Sequence, residues 1–169
     1  PASTRDAVLK GMHYRGTLFR ALNPVHAREP LSGRGAELYG GRFNPKGMPA
    51  LYTSLSILTA LREANQVGHL QPTTLVSYQA DVERVLDSRD PAARASEHIR
   101  AEDLADPTWR DQMYRYGEAR TQAMARRLAT KGYNGLIVRS YAAGAGPDDV
   151  NLVLWHWDGL VLIDDENRL

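Results

Sequence analysis

The chain has 169 residues, 43% of them hydrophobic and 24% charged, enough for one domain with a buried core. A formal net charge of +1 gives no field that would argue for direct contact with nucleic acid or an anionic membrane. The lack of cysteine excludes disulfides, thiolate zinc sites and a cysteine nucleophile.

Residues 1–11, PASTRDAVLKG, lack an initiating methionine and read as a processed tail or an expression remnant, with Met12 a natural start and 12–169 the folded domain. No apolar run of 18 residues and no basic-then-apolar N-terminal segment occurs, so no membrane span or secretory signal is supported and a cytoplasmic location is expected. GTLFRAL (16–22) alternates and carries β-formers, which predicts a strand stopped by Asn23-Pro24. Residues 23–49 are broken by glycine and polar residues and read as one long ordered loop; loops of that length are commonly functional. PALYTS (49–54) is a predicted strand. Ser54 or Ser56 then caps a helix running to about Gln66 and ended by Gly68.

TTLVSYQADV (73–82) is the next strand. Asp106-Pro107 reads as an N-cap with proline at the first helical position, opening a helical region that Lys131-Gly132 closes. NGLIVRS (134–140) and NLVLWHW (151–157) are strands separated by the flexible loop YAAGAGPDD. Asp158-Gly159 predicts a hairpin turn into LVLID. Strands and helices mix without regular βαβ alternation, so the expected class is α+β in a single domain.

Several chemistries are refused. His13, His26, His69, His98 and His156 are scattered and no H-E-x-x-H occurs, so no metal site is expected. No G-x-S-x-G elbow is present, and GRFNPKG has neither the order nor the following helix of a phosphate-binding P-loop. Of 21 basic residues, only Lys10, Lys46 and Lys131 are lysines. That arginine bias suits carboxylate or phosphate ligands, and codon usage explains it equally well.

What remains is a set of polar residues on glycine-rich backbone: Arg20, Arg42, Asn44, Tyr52, Ser54, Glu63, Ser140 and Asn151. On a helical wheel Ile57, Leu58, Leu61 and Ala64 form an apolar face, and Glu63 projects nearly opposite. Glu63 is therefore either a solvated surface residue or part of a polar face, with Ser56 and Thr59, that lines a cleft. Gly40-Gly41 and Asn44-Pro45 bracket Arg42 as though to place one guanidinium, although a loop arginine is ordinarily solvated. Tyr52 is a core or rim tyrosine, or a stacking surface for a flat ring. Ser54 reads as a helix cap, and Ser140 and Asn151 as turn-stabilising residues.

LFRAL, YGGRFNPKGMPALYTS, ALREA, IVRS and NLVLW, in that order across about residues 15–160, resemble the RES family of toxins encoded beside Xre-type helix-turn-helix antitoxins. The G-G-R-aromatic-N-x-x-G block is followed ten residues after the arginine by tyrosine and eleven later by glutamate. The resemblance implies an ADP-ribosyltransferase-like fold, with a mixed or antiparallel β core and flanking helices, and NAD⁺ as substrate without a metal. It maps the family's catalytic Arg, Tyr and Glu onto Arg42, Tyr52 and Glu63, and its further NAD⁺-binding positions onto Arg20 and Ser140, with Asn44, Ser54 and Asn151 beside them. It also implies growth inhibition by transfer of ADP-ribose to a protein acceptor or by NAD⁺ depletion, and an antitoxin that blocks the cleft. A non-catalytic binding module is the remaining alternative. Phe43 stands where the family has tryptophan. Leu61-Arg62-Glu63 lacks the Glu-x-Glu of arginine-directed transferases, which disfavours an arginine acceptor, and Arg42 replaces the first-motif histidine of diphtheria-like transferases.

Overall fold

A computed structural model describes residues 11–66 and 70–169. Residues 1–10 of the expected tail, and Gly68 as the expected helix stop, lie outside the described residues. Among the described residues six strands form one sheet: β1 (Met12–Leu22), β2 (Leu51–Ser54), β3 (Thr74–Asp87), β4 (Gly135–Arg139), β5 (Val150–Leu154) and β6 (Leu160–Leu162). The order is β1-β2-β5-β4-β3-β6, and β1 also pairs with β3, so five strands close on themselves like a barrel. All pairings are antiparallel except β3 with β4. The fold is mixed α+β, as the sequence implies.

Strand periodicity explains the two cores. Leu18, Val76, Tyr78, Ile137, Leu152 and Leu154 point to the barrel interior. Their alternate neighbours Leu136, Val138, Val153 and Trp155 point outward, against Leu104, Ala125, Leu128 and Tyr133 from the helical side. β4 and β5 are therefore apolar on both faces, which accounts for their continuous hydrophobic runs.

The helices are α1 (Arg34–Tyr39), α2 (Ile57–Ala64), α3 (Pro91–Ser96), α4 (Ala101–Leu104), α5 (Trp109–Tyr116) and α6 (Arg120–Lys131). Residues 23–49 are thus not one loop: a 3₁₀ turn at Pro24–His26 and α1 interrupt them. The helical region opened by Asp106-Pro107 is also two helices. Gly117, in the left-handed region at φ 82°, caps α5, and the Gln122 side chain accepts from the Ala119 N–H at 2.9 Å to start α6. Asp106 holds the Thr108 N–H at 2.9 Å, so its cap-like bond forms just ahead of the helix. Gly132 closes α6 as expected.

The expected hairpin after β5 does not form. Both edges of β5 are taken, by β2 and by β4, so the chain turns at Asp158-Gly159 and adds β6 to β3, with Tyr78 opposite Leu162. Leu160 enters the barrel core there.

Candidate active site

A cavity of about 540 Å³ lies on the outer face of β1, β2, β5 and β4, covered by the segment around α1, by α2 and by α5. Register fixes its floor. Ser54 opposes Asn151, which opposes Val138, and Tyr52 opposes Val153, so these side chains share one face.

Glu63 enters from α2. Ser56 caps that helix, accepting from the Thr59 N–H at 3.1 Å. The helix packs with Thr59 and Ala60 buried, whereas Leu58 is 72% and Ile57 44% exposed. Ile57 and Leu58 of the apolar face read from the wheel are therefore turned outward, and Glu63 lines the cavity as the polar-face alternative has it, whereas Ser56 and Thr59 do not line it. Leaving Leu58 exposed forgoes about 1.5–3 kcal/mol of burial. The inward orientation gains hydrogen bonds to charged groups, each about 1.5–3 kcal/mol, and there are several of them. Glu63 Oε1 accepts from the Asn151 amide at 2.6 Å and from the Ser140 hydroxyl, while Oε2 accepts from Gln66 at 2.6 Å. Ser54 donates to Asn151 Oδ1 at 2.7 Å, which orients the amide so that its NH₂ faces Glu63. Ser54 thus acts in this chain through Asn151, and the helix cap is Ser56.

Arg42 faces the same cavity. Its Nη1 donates to the carbonyls of Asp106, at 2.8 Å, and Leu104, at 3.3 Å. Its guanidinium lies 4.9 Å from the Tyr141 ring centre and 5.9 Å from that of Trp109. Burial pulls the Arg42 guanidinium below the ordinary arginine range, with Arg110 adding to the effect, while Tyr141, Glu63 and Asp106 oppose it. Nε and Nη2 make no hydrogen bond among the described residues, which leaves donors for an anion.

The glycines before Arg42 have distinct reasons. Gly40 sits at φ 73°, a conformation that L side chains rarely adopt. Gly41 allows a close approach: a Cβ there would lie 2.4 Å from the Tyr52 hydroxyl and 2.7 Å from Asn44 Oδ1. That hydroxyl donates to Asn44 Oδ1 at 2.7 Å and accepts from the Phe43 N–H at 3.0 Å. Burial pushes the Tyr52 pKa well above the ordinary tyrosine range, against the Phe43 N–H and Arg42, which lower it. Tyr52 therefore offers its ring to the cavity and keeps its hydroxyl inside the loop.

Asn44 is fully buried and not part of the cavity wall. Its amide donates to the carbonyls of Ala36, at 2.8 Å, and Met48, at 2.9 Å, so it shapes the loop that carries Arg42. Arg20 lines the cavity from β1 and donates to the Pro30 and Ser32 carbonyls at 3.3 and 3.4 Å. The structure thus brings Arg20, Arg42, Tyr52, Ser54, Glu63 and Asn151 to one cavity, with Ser140 bonded to Glu63 from its edge.

Sequence reasoning missed Trp109, Arg110, Arg139 and Tyr141 in the wall, and Gln122 behind it. The fully buried Gln122 donates to the carbonyls of Gly41, at 2.9 Å, and Asn44, at 3.1 Å, fixing the glycine loop against α6. Arg139 and Tyr141 flank Ser140, and that proximity was a usable signal. Trp109, Arg110 and Gln122 carried none, because they reach the site only through the docking of α5 and α6. No group of three or more His, Asp or Glu side chains that could hold a metal ion occurs among the described residues.

Fold and site together define an arginine-rich pocket with one half-buried carboxylate, Glu63, on an α+β scaffold. The chain belongs to the RES domain family, whose sequence model matches residues 17–167. A crystal structure of the M. tuberculosis MbcT–MbcA toxin–antitoxin complex is similar, with a TM-score of 0.61 and 24% identity over 90% of this chain and 84% of that one. No curated protein matches at a significant level.

Proposed function

We propose that the chain is the toxin of a toxin–antitoxin pair and an enzyme that breaks the nicotinamide–ribose bond of NAD⁺ and passes ADP-ribose to a protein acceptor. The observation that carries this reading is the opposition, across one cavity, of a fixed carboxylate, Glu63, to the uncommitted donors of Arg42. Loss of nicotinamide leaves oxocarbenium-like charge on the ribose, which a carboxylate beside the ring stabilises. Arg42 and Arg20 pair with the pyrophosphate through charge-assisted hydrogen bonds. The Tyr52 ring stacks on the nicotinamide, whose departure as a neutral base takes the bonding pair.

Transfer to water or inorganic phosphate, which depletes NAD⁺, is a second reading with two observations behind it. Position 61 is leucine, so no second carboxylate precedes Glu63 by two residues to address an acceptor side chain. Arg110, whose guanidinium lies over the Trp109 ring, and Arg139 also line the cavity, and neither makes a hydrogen bond or ion pair among the described residues, so cationic groups beyond Arg42 and Arg20 stand at the site.

The similar solved protein was crystallised with an antitoxin, which supports a partner of that kind here. We assign it as an Xre-type protein that covers the cavity and makes the DNA contacts itself.

Mass spectrometry of NAD⁺ products, with and without lysate protein and phosphate, tests the proposal. ADP-ribosylated protein supports the first reading, and free ADP-ribose or its 1″-phosphate the second. Glu63→Gln is expected to lower either rate by about 10²–10³-fold. Intact NAD⁺ with the wild-type chain in all mixtures overturns both.

A further inference from the structure

We propose that Asp149 is a positioning residue for Glu63, acting through a clasp that joins the β4–β5 loop to α2. The inference rests on the reading of Glu63 as the carboxylate beside the ribose.

The loop between β4 and β5 is closed at its base, where the Ser140 N–H donates to the Asp149 carbonyl at 2.8 Å. Its two flanks hold Glu63: Ser140 from before the loop and Asn151 from after it. The Asp149 side chain, only 14% exposed, faces the same helix one turn earlier. Oδ1 accepts from the Thr59 hydroxyl at 2.7 Å and forms an ion pair with Arg62 Nη1 at 2.5 Å, and Oδ2 accepts from the Gly146 N–H at 2.8 Å. Thr59 and Glu63 are four residues apart and so lie on one helix face.

The consequence is geometric. Ser140 and Asn151 can bond Glu63 only while α2 keeps its rotation and height against the loop, and with only Thr59 and Ala60 of α2 buried, little packing resists a roll of the helix. Asp149 supplies that resistance and ties it to the same backbone segment that presents the two donors. The clasp therefore sets where the carboxylate stands relative to the ribose, and leaves the arginines and Tyr52 where they are. Misplacing a catalytic group by about 1 Å costs on the order of 10²-fold in rate.

The test compares Asp149→Ala with wild type for NAD⁺ turnover and for the Asn151 side-chain amide signals in ¹⁵N NMR, assigned with Asn151→Asp. A clasp lowers kcat by at least tenfold with KM for NAD⁺ changed less than about twofold, shifts the Asn151 amide signals, and is partly rescued by Asp149→Asn, which keeps the Oδ1 acceptor. Wild-type kcat with unmoved Asn151 signals in a folded Asp149→Ala protein overturns it. If Asp149→Ala does not fold, the double variant Thr59→Val, Arg62→Met removes the same contacts from the helix side and must show the same loss. If the wild-type chain consumes no NAD⁺, the functional reading fails, and the Asn151 signals alone still decide whether the clasp holds Glu63 in place.

Discussion

The Tyr52 hydroxyl is engaged on both sides, donating to Asn44 and accepting from the Phe43 N–H, while the residue lines the cavity. Both hydrogen-bonding positions of the hydroxyl are thereby committed to the loop, and burial raises its pKa above the ordinary tyrosine range, so the role proposed for Tyr52 rests on its ring. Tyr52→Phe is expected to retain NAD⁺ turnover within about threefold, while the two orphaned loop groups lower stability by about 1–3 kcal/mol. In a domain of this size each kcal/mol corresponds to about 2–4 °C in Tm, measurable by calorimetry. Tyr52→Ala is expected to lose turnover as well, and a Phe variant as inactive as the Ala variant would give the hydroxyl a chemical role. Gly41→Ala attacks the same point from the backbone. Its Cβ would collide with the Tyr52 hydroxyl, so a larger Tm loss than that of Tyr52→Phe is expected, together with weaker NAD⁺ binding from a displaced Arg42.

Among the elements, α2 and α6 show how polar contacts decide orientation. The C-terminal end of α6 is anchored by Glu97, whose side chain is 4% exposed and accepts from Lys131 at 2.7 and 2.9 Å and from the Tyr133 hydroxyl at 2.8 Å. Burial acts to raise the Glu97 pKa, but the Lys131 and Tyr133 hydrogen bonds, with Lys131 and Arg127 charge, outweigh it and hold it below the usual glutamate value. Burial first, then the Glu97 carboxylate, pushes Tyr133 up to about 12. A folded pKa below the unfolded value, about 4.3, means that Glu97 stabilises the fold above that pH and ceases to as pH falls through the folded value. Glu97→Gln is expected to cost about 1–3 kcal/mol at pH 7. The gap between the two melting curves should narrow below about pH 4, and a gap independent of pH would assign the loss to shape alone. The body of β3, read at 73–82 although the strand runs on to Asp87, and the glycine-capped end of α6 were legible in the sequence because local composition and turn chemistry determine them. The roll of α2 was not, since a wheel ranks faces by hydrophobicity, and here the bonds that tie the helix to Ser140, Asp149 and Asn151 span more than 75 positions.

At the scale of the whole molecule, closure of the sheet is what gathers the site. β1, β2 and β5 become neighbours only through the barrel, and with them Arg20, Ser54 and Asn151. The order of motif residues along the chain was enough to suggest Arg42, Tyr52 and Glu63 as a group, because the resemblance was to a pattern that already encodes that closure. Asp149, Gln122 and Trp109 escaped notice because each sits in an unremarkable local sequence and acquires its place from the packing of α5, α6 and the β4–β5 loop. The partner of β6 escaped for a similar reason: the turn at Asp158-Gly159 into LVLID was right, but availability of a sheet edge, which sends β6 to β3, is a property of the assembled barrel. The central claim is that this cavity holds NAD⁺ with its nicotinamide-side ribose at Glu63. A crystal structure of the Glu63→Gln protein soaked with NAD⁺ tests it most directly. The account predicts a ribose hydroxyl within hydrogen-bond distance of residue 63 and the pyrophosphate against Arg42. Dinucleotide bound elsewhere, or bound here with the adenine in place of the nicotinamide at Tyr52, would contradict it.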